Sequence, residues 1–165
     1  MADRRKGAAE RTTDDEEEEL LDTIGVAFSR LRRRTMSAPV DPPVAPTDLR
    51  RDLLLTVVEE SGGGLSVKSA AAALMMERSA ASRLAAWCVE QGLVERVASQ
   101  ADGRSILLLL TEHGRQVLRH SRHQQRQAFE YITREWSRAD QLEFARLLHK
   151  YTAATAALEP DKTLG

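Results

Sequence analysis

"GLVERVASQADGRSILLLLTEHG", residues 92–114, is the stretch from which the rest of the chain can be read. "LVERVAS" and "SILLLL" are strand-like runs rich in branched residues. Between them Asp102-Gly103 suits a tight turn, because glycine takes positive φ without steric cost. Arg104 follows the turn, so a long cation is expected to project from a hairpin tip. Thr111 is positioned to cap a long helix predicted over 112–135.

Upstream of the hairpin the pattern changes to short helices. Ser66 can cap "VKSAAAAL", and after Met75-Met76 the run "RSAASRLAAWCVEQ" makes a second helix that Gly92 ends. Two short helices followed at once by a hairpin make a winged helix-turn-helix. At 100° per residue, Ala81, Leu84, Ala85 and Cys88 fall on one side of the second helix, the expected core side. Arg78, Ser79, Ser82, Arg83 and Ala86 fall on the other. Such a face is cationic and otherwise small, as a helix entering a DNA groove about 12 Å wide requires. Arg78 and Arg83 can each reach a guanine or a phosphate, and Ser79 and Ser82 a phosphate oxygen or a base edge. The plainer reading is a solvated face carrying two arginines. Arg104 has a matching task, since an arginine on a wing can enter the electronegative minor groove of A·T-rich DNA. Asp102 is expected to shape the turn rather than to touch DNA.

Toward the N-terminus, Leu20, Leu21, Ile24, Ala27, Phe28 and Leu31 mark one stripe of a helix over 16–36, after a tail over 1–14 expected to be disordered. "SAPVDPPVAP", 37–46, reads as a loop. Thr47 then caps a helix over 48–60, whose "LLLTVV" is apolar almost all round, and "SGGG" ends it. Beyond the hairpin, Ser137 with Asp140 predicts a cap for a last helix over 138–158. Val117, Leu118, Ala128, Phe129, Ile132 and Trp136 form one stripe of the long helix, whereas Leu142, Phe144, Ala145, Leu147, Leu148, Tyr151 and Leu158 spread round most of the last one. Helices apolar on several sides are buried on several sides, and in so small a chain a second copy is the expected cover. Two-fold symmetry then sets two recognition helices about 34 Å apart, one turn of DNA.

The resulting expectation is a mainly α fold with a small β-wing. A winged helix-turn-helix over 48–111 is flanked by a dimerisation region over 15–47 and 112–158, with a C-terminal tail over 159–165. Charge agrees only after inspection. The net charge is −1, but Asp14, Asp15, Glu16, Glu17, Glu18, Glu19 and Asp22 are bunched, and without those seven carboxylates the rest carries +6. The acidic run reads as a helix start, with an acidic interaction tail as the alternative. "RLRRR", 30–34, suits a helix C-terminus, with an anion contact as the alternative.

Several function classes fall away. "SGGG" is not followed by the G-K-[ST] of a phosphate loop, and no carboxylate pair or Ser-His-Asp arrangement stands out, so no catalytic residue is assigned. No apolar run approaches the roughly 18 residues needed to cross a bilayer, and the single Cys88 has no internal disulfide partner, which fits a reducing cytoplasm. Cys88 reads as a small core residue in preference to a redox sensor. His113, His120 and His123 run along the long helix; their i, i+3 pair could hold Zn²⁺ only with a further ligand, so they read as a polar flank, and no cofactor or metal is assigned.

Taken together, 92–114 resembles the wing of MarR-type transcriptional regulators, whose pattern is G-L-V-x-R, then D-x-R, then L-T-x-x-G. Gly92, Leu93, Val94, Arg96, Asp102, Arg104, Leu110, Thr111 and Gly114 match in register, and "RSAASR" resembles the S-x-x-S-R start of many recognition helices of that family. The resemblance is specific over about 65–118 and implies a homodimer binding pseudo-palindromic double-stranded DNA, usually a repressor, often released by a small ligand bound between the first two helices and the long one. The expected DNA-binding set is Arg78, Ser79, Ser82, Arg83, Arg96, Asp102 and Arg104. A winged helix used only to bind another protein is the alternative. Two departures stand out: Met75-Met76 replaces a turn in which many members carry glycine, so a positive φ at Met75 would be strained by roughly 1–2 kcal/mol. Glu77 is a poor helix cap.

Overall fold

The computed structural model describes residues 3–34, 46–99 and 105–156, the side chains at 3–14, 32–34, 46–47 and 156 excepted. Within them the order is α1 (Asp3–Arg34), α2 (Pro46–Glu60), β1 (Leu65–Ser66), α3 (Val67–Ala73), α4 (Arg78–Glu90), β2 (Val94–Ala98), β3 (Ile106–Leu110), α5 (Glu112–Ile132) and α6 (Arg138–Ala156). The protein is mainly helical with one small antiparallel sheet, a winged helix-turn-helix. Contacts divide the chain into Met1–Ser121 and Arg122–Gly165.

In Met1–Ser121 the core gathers on α2. Leu54 and Leu55 are fully buried, and Val58 nearly so, as the all-round apolar run predicts. Each such side chain contributes about 1.5–3 kcal/mol relative to exposure. Ala81 and Ala85 are also fully buried; their small side chains let α4 lie close to the elements beneath it. Leu108 and Leu110 of β3 and Leu118 of α5 close the cluster.

The sheet order is β1-β3-β2. β2 and β3 pair from Val94↔Leu110 to Ala98↔Ile106, and Ser99 N–H donates to the Ser105 carbonyl at 2.8 Å, extending the hairpin toward its tip. Two strands were expected; the third, β1, pairs Leu65 with Leu108 and Ser66 with Leu107. A two-residue strand is too short to show a period, so sequence pattern could not announce it.

Thr111 and Gly114 explain why the motif is spaced as it is. Thr111 Oγ1 donates to the Gly92 carbonyl at 2.6 Å and accepts from Gly114 N–H at 3.0 Å, so one hydroxyl caps α5 and ties it to the end of α4. A Cβ at Gly114 would overlap the Leu93 carbonyl, so only glycine allows this approach. The predicted cap at Ser66 also forms, accepting from Ser69 N–H at 3.0 Å.

Arg122–Gly165 holds the end of α5, a turn and α6. Ser137 Oγ accepts from Asp140 N–H at 3.1 Å and donates to the Asp140 carboxylate at 2.6 Å, so the predicted cap forms. Gln141 Nε2 donates to both the carbonyl and the hydroxyl of buried Thr133, at 3.0 and 3.1 Å. Phe144 stacks on Phe129 and meets Trp136 edge-on, with centroids 6.0 and 5.6 Å apart.

Some boundaries differ from expectation. α1 is helical from Asp3, not from about residue 16, and is described as far as Arg34, so its expected end near Met36 lies outside the described residues. Alanine, glutamate and arginine favour helix without any apolar stripe, so a polar segment need not be a disordered tail. Pro46 and Thr47 lie inside α2 instead of before it; proline's fixed φ and missing N–H suit a first helical position. α5 ends at Ile132, which puts Trp136 in the turn. Contacts keep the start of α5 with the winged helix as far as Ser121, because Leu118 joins its core and Ser121 bonds into α2. Of the loop expected over 37–46, residues 37–45 lie outside the described residues, as do Leu158 and the tail 159–165.

Candidate nucleic-acid interface

α4 presents the face that its periodicity predicts. Arg78, Ser79, Ser82 and Arg83 are exposed, while Ala81, Ala85 and Cys88 have no exposure at all. Arg96 is exposed on β2. Asp102 and Arg104 lie outside the described residues, between the paired Ser99 and Ser105.

The cations of this surface differ from those elsewhere. Arg51, Arg115, Arg119, Arg126 and Arg146 are each paired with a carboxylate. Arg119 hydrogen-bonds Glu112 and holds its carboxyl below the usual range, and Arg146 does the same to Glu143. Arg78, Arg83 and Arg96 make no hydrogen bond or ion pair among the described residues, so their charge remains available to an outside anion.

The turn before α4 has the geometry that the sequence put in question. Met75 sits at φ 48°, and Glu77 caps α4 without a side-chain hydrogen bond. Met75 N–H donates to the Ala72 carbonyl and Met76 N–H to the Ala71 carbonyl, at 3.1 and 3.0 Å. The same paired bonds end α4, where Gly92 and Leu93 reach Val89 and Cys88, both at 2.9 Å. One chain thus builds the same helix stop twice, with glycine in one left-handed position and methionine in the other.

A buried polar node underlies α4 and escaped the sequence reading. Arg51 bonds Asp48 and Asp52, each at 2.8 Å, and the Ser121 hydroxyl donates to the other Asp52 oxygen. The node joins α2 to α5 with every buried polar side-chain atom satisfied among the described residues. An aspartate inside so apolar a helix was the one available signal, since buried carboxylates need partners. Cys88 lies fully buried, and burial pushes its thiol up to about 11, with Arg51 opposing the shift. A thiol so raised is a small core residue and a poor nucleophile at neutral pH. His113, His120 and His123 are all exposed, and no group of three metal-binding side chains gathers among the described residues.

A sequence model of the MarR family matches residues 52–105, from the buried aspartate to the wing. The matched segment is similar to a MarR-family winged helix. No curated protein matches the chain. Solved structures extend the MarR fold beyond the matched segment. CouR from Rhodococcus jostii RHA1, bound to p-coumaroyl-CoA, is 25% identical, with 85% of this chain and 98% of that one covered at a TM-score of 0.60. RV1404 from Mycobacterium tuberculosis is 24% identical, with coverage of 88% and 96% and a TM-score of 0.60. A MarR-family transcriptional regulator from Rhodococcus sp. RHA1 is 23% identical, with coverage of 80% and 94% and a TM-score of 0.61. Among the described residues, no helix is long and apolar enough to cross a membrane.

Proposed function

We propose that the protein is a homodimeric transcriptional repressor that acts by binding DNA and not by catalysis. Its α4 enters the major groove of each half of a pseudo-palindromic operator, and its wing enters the adjacent minor groove. The observation that carries this reading is the outward face of α4, where unpaired Arg78 and Arg83 stand among small residues on a MarR-family winged helix. Ser79 and Ser82 contribute short polar contacts, Arg96 a phosphate contact, Arg104 the minor-groove contact and Asp102 the shape of the wing.

Apolar surface supports the dimer. Leu142, Leu147, Leu148 and Tyr151 of α6 remain 46–55% exposed, and Leu20, Leu21 and Ile24 of α1 remain 45–69% exposed. Large apolar side chains left this exposed on two helices suit association, and a second copy is the partner we assign. A small ligand relieves repression in this reading; CouR, with its bound acyl-CoA thioester, makes aromatic acyl-CoA thioesters the first ligands to try.

Duplex binding across a salt series, after selection from a random duplex library, tests the proposal. Affinity should fall steeply, with log K losing about 0.9 per phosphate neutralised for each unit of log salt. Arg83→Ala should cost about tenfold at the selected half-site, and Arg104→Ala should weaken binding most where A·T-rich flanks adjoin it. A protein that binds a partner protein but no duplex is the interaction module of the alternative reading, and the proposal is then wrong.

A further inference from the structure

Between α2 and α4 lies an open groove of about 300 Å³, lined by Arg50, Met76, Ala80, Arg83, Leu84 and Trp87. Its polar groups all have one sign. The guanidinium groups of Arg50 and Arg83 and the indole N–H of Trp87 are donors, and none has a partner among the described residues. No carboxylate lines the groove. Arg51, the next residue of the same helix, shows the contrast: Asp48 and Asp52 neutralise it within the fold. Two guanidiniums on one groove repel unless something negative sits between them.

We propose that this groove seats a backbone phosphate of the duplex whose major groove α4 enters, held by Arg50 from α2 and Arg83 from α4. The inference rests on the DNA-binding reading and extends its surface to α2, an element beyond the recognition helix and the wing. The groove borders the outward face of α4, and phosphates border a major groove on both sides, so a strand followed by α4 passes this mouth. Phosphate and sugar take half to two-thirds of the hydrogen bonds in protein–DNA interfaces. Met76, Ala80 and Leu84 offer an apolar floor for the sugar edge. Sites for small molecules bury about 70–90% of their ligand, whereas both arginines and Trp87 here are exposed, which favours a strand arriving from outside.

Arg50 is exposed and unpaired, so Arg50→Ala should fold with an unchanged melting temperature. Wild type, Arg50→Ala and Arg50→Lys are each titrated against a random-sequence duplex and a selected operator duplex over a range of salt. Arg50→Ala is expected to weaken binding to both duplexes by the same factor and to reduce the slope of log K against log salt by about 1.8, about 0.9 for each of the dimer's two seats. The gap between wild type and Arg50→Ala then narrows about 12-fold from about 50 to about 200 mM salt, while Arg50→Lys keeps the wild-type slope. A wild-type slope in Arg50→Ala overturns the assignment. So does a result in which DNA binding is unchanged and benzoate displaces DNA from wild type but not from Arg50→Ala, which makes the groove a site for a free anion. Wild-type protein that binds neither duplex overturns the DNA-binding reading itself, and the phosphate seat with it.

Discussion

Leu54, Leu55, Ala85 and Leu108 in Met1–Ser121 have no exposed surface, whereas Leu142, Leu147 and Leu148 in Arg122–Gly165 keep 46–55% of theirs. Both regions are rich in leucine, so composition does not separate them. The winged helix surrounds its apolar side chains with four helices and a sheet. The C-terminal region has one turn of chain and two helical segments, which can cover one face each and no more. Its polar contacts are nevertheless well made, from the Ser137 cap to the Gln141–Thr133 pair. The difference teaches that this region is locally well formed but leaves much of its apolar surface uncovered, as the proposed dimer requires.

The sharpest way to break that contrast is to truncate a leucine on each side. Leu54→Ala should cost about 3–5 kcal/mol in urea unfolding, because a cavity is added to the lost burial. Leu148→Ala, measured at concentrations too low for association, should cost under about 1 kcal/mol. Equal costs would erase the distinction.

Alkaline pH probes how closed the winged-helix core is. The Cys88 thiol stays protonated up to about 11 in the folded state, while an unfolded thiol ionises near 9. Stability is therefore unaffected below that range and falls as pH rises between the two values, by about 2–3 kcal/mol in all. Cys88→Ala should lack this component, so urea curves of the two proteins at pH 8 and about pH 11 measure it. Parallel curves for both would mean that water reaches the thiol.

Charge placed on the exposed face tests the other region. Leu148→Asp should leave the helical circular dichroism unchanged and weaken self-association by about 2 kcal/mol, roughly 30-fold, in sedimentation equilibrium. DNA affinity should fall with it. Unaltered sedimentation would move the dimer surface elsewhere.

The smallest expected effect is a gain. Met75 and Gly92 occupy equivalent left-handed positions, and only the methionine is strained there. Met75→Gly should raise stability by up to about 1 kcal/mol, the strain relieved less the entropy that glycine adds to the unfolded chain. A loss of stability would show that the side chain, 93% exposed, holds something in place.

What the sequence determined by itself was whatever depends on neighbours within a turn or two. The two faces of α4, the caps at Ser66, Thr111 and Ser137, and the hairpin strands all follow from periods and hydrogen bonds that span a few residues. So does the strain at Met75, foreseen from the missing glycine. Tertiary structure alone decided the rest. Asp52 meets Ser121 across 69 positions, β1 joins β3, and Gly114 presses on the Leu93 carbonyl. Among the described residues Arg50 has no partner while Arg51 is neutralised, though the two are identical and adjacent in sequence. Local pattern states which way a side chain points along its own helix; what it meets there depends on the path of a chain that returns only after many residues, and no local period records that path.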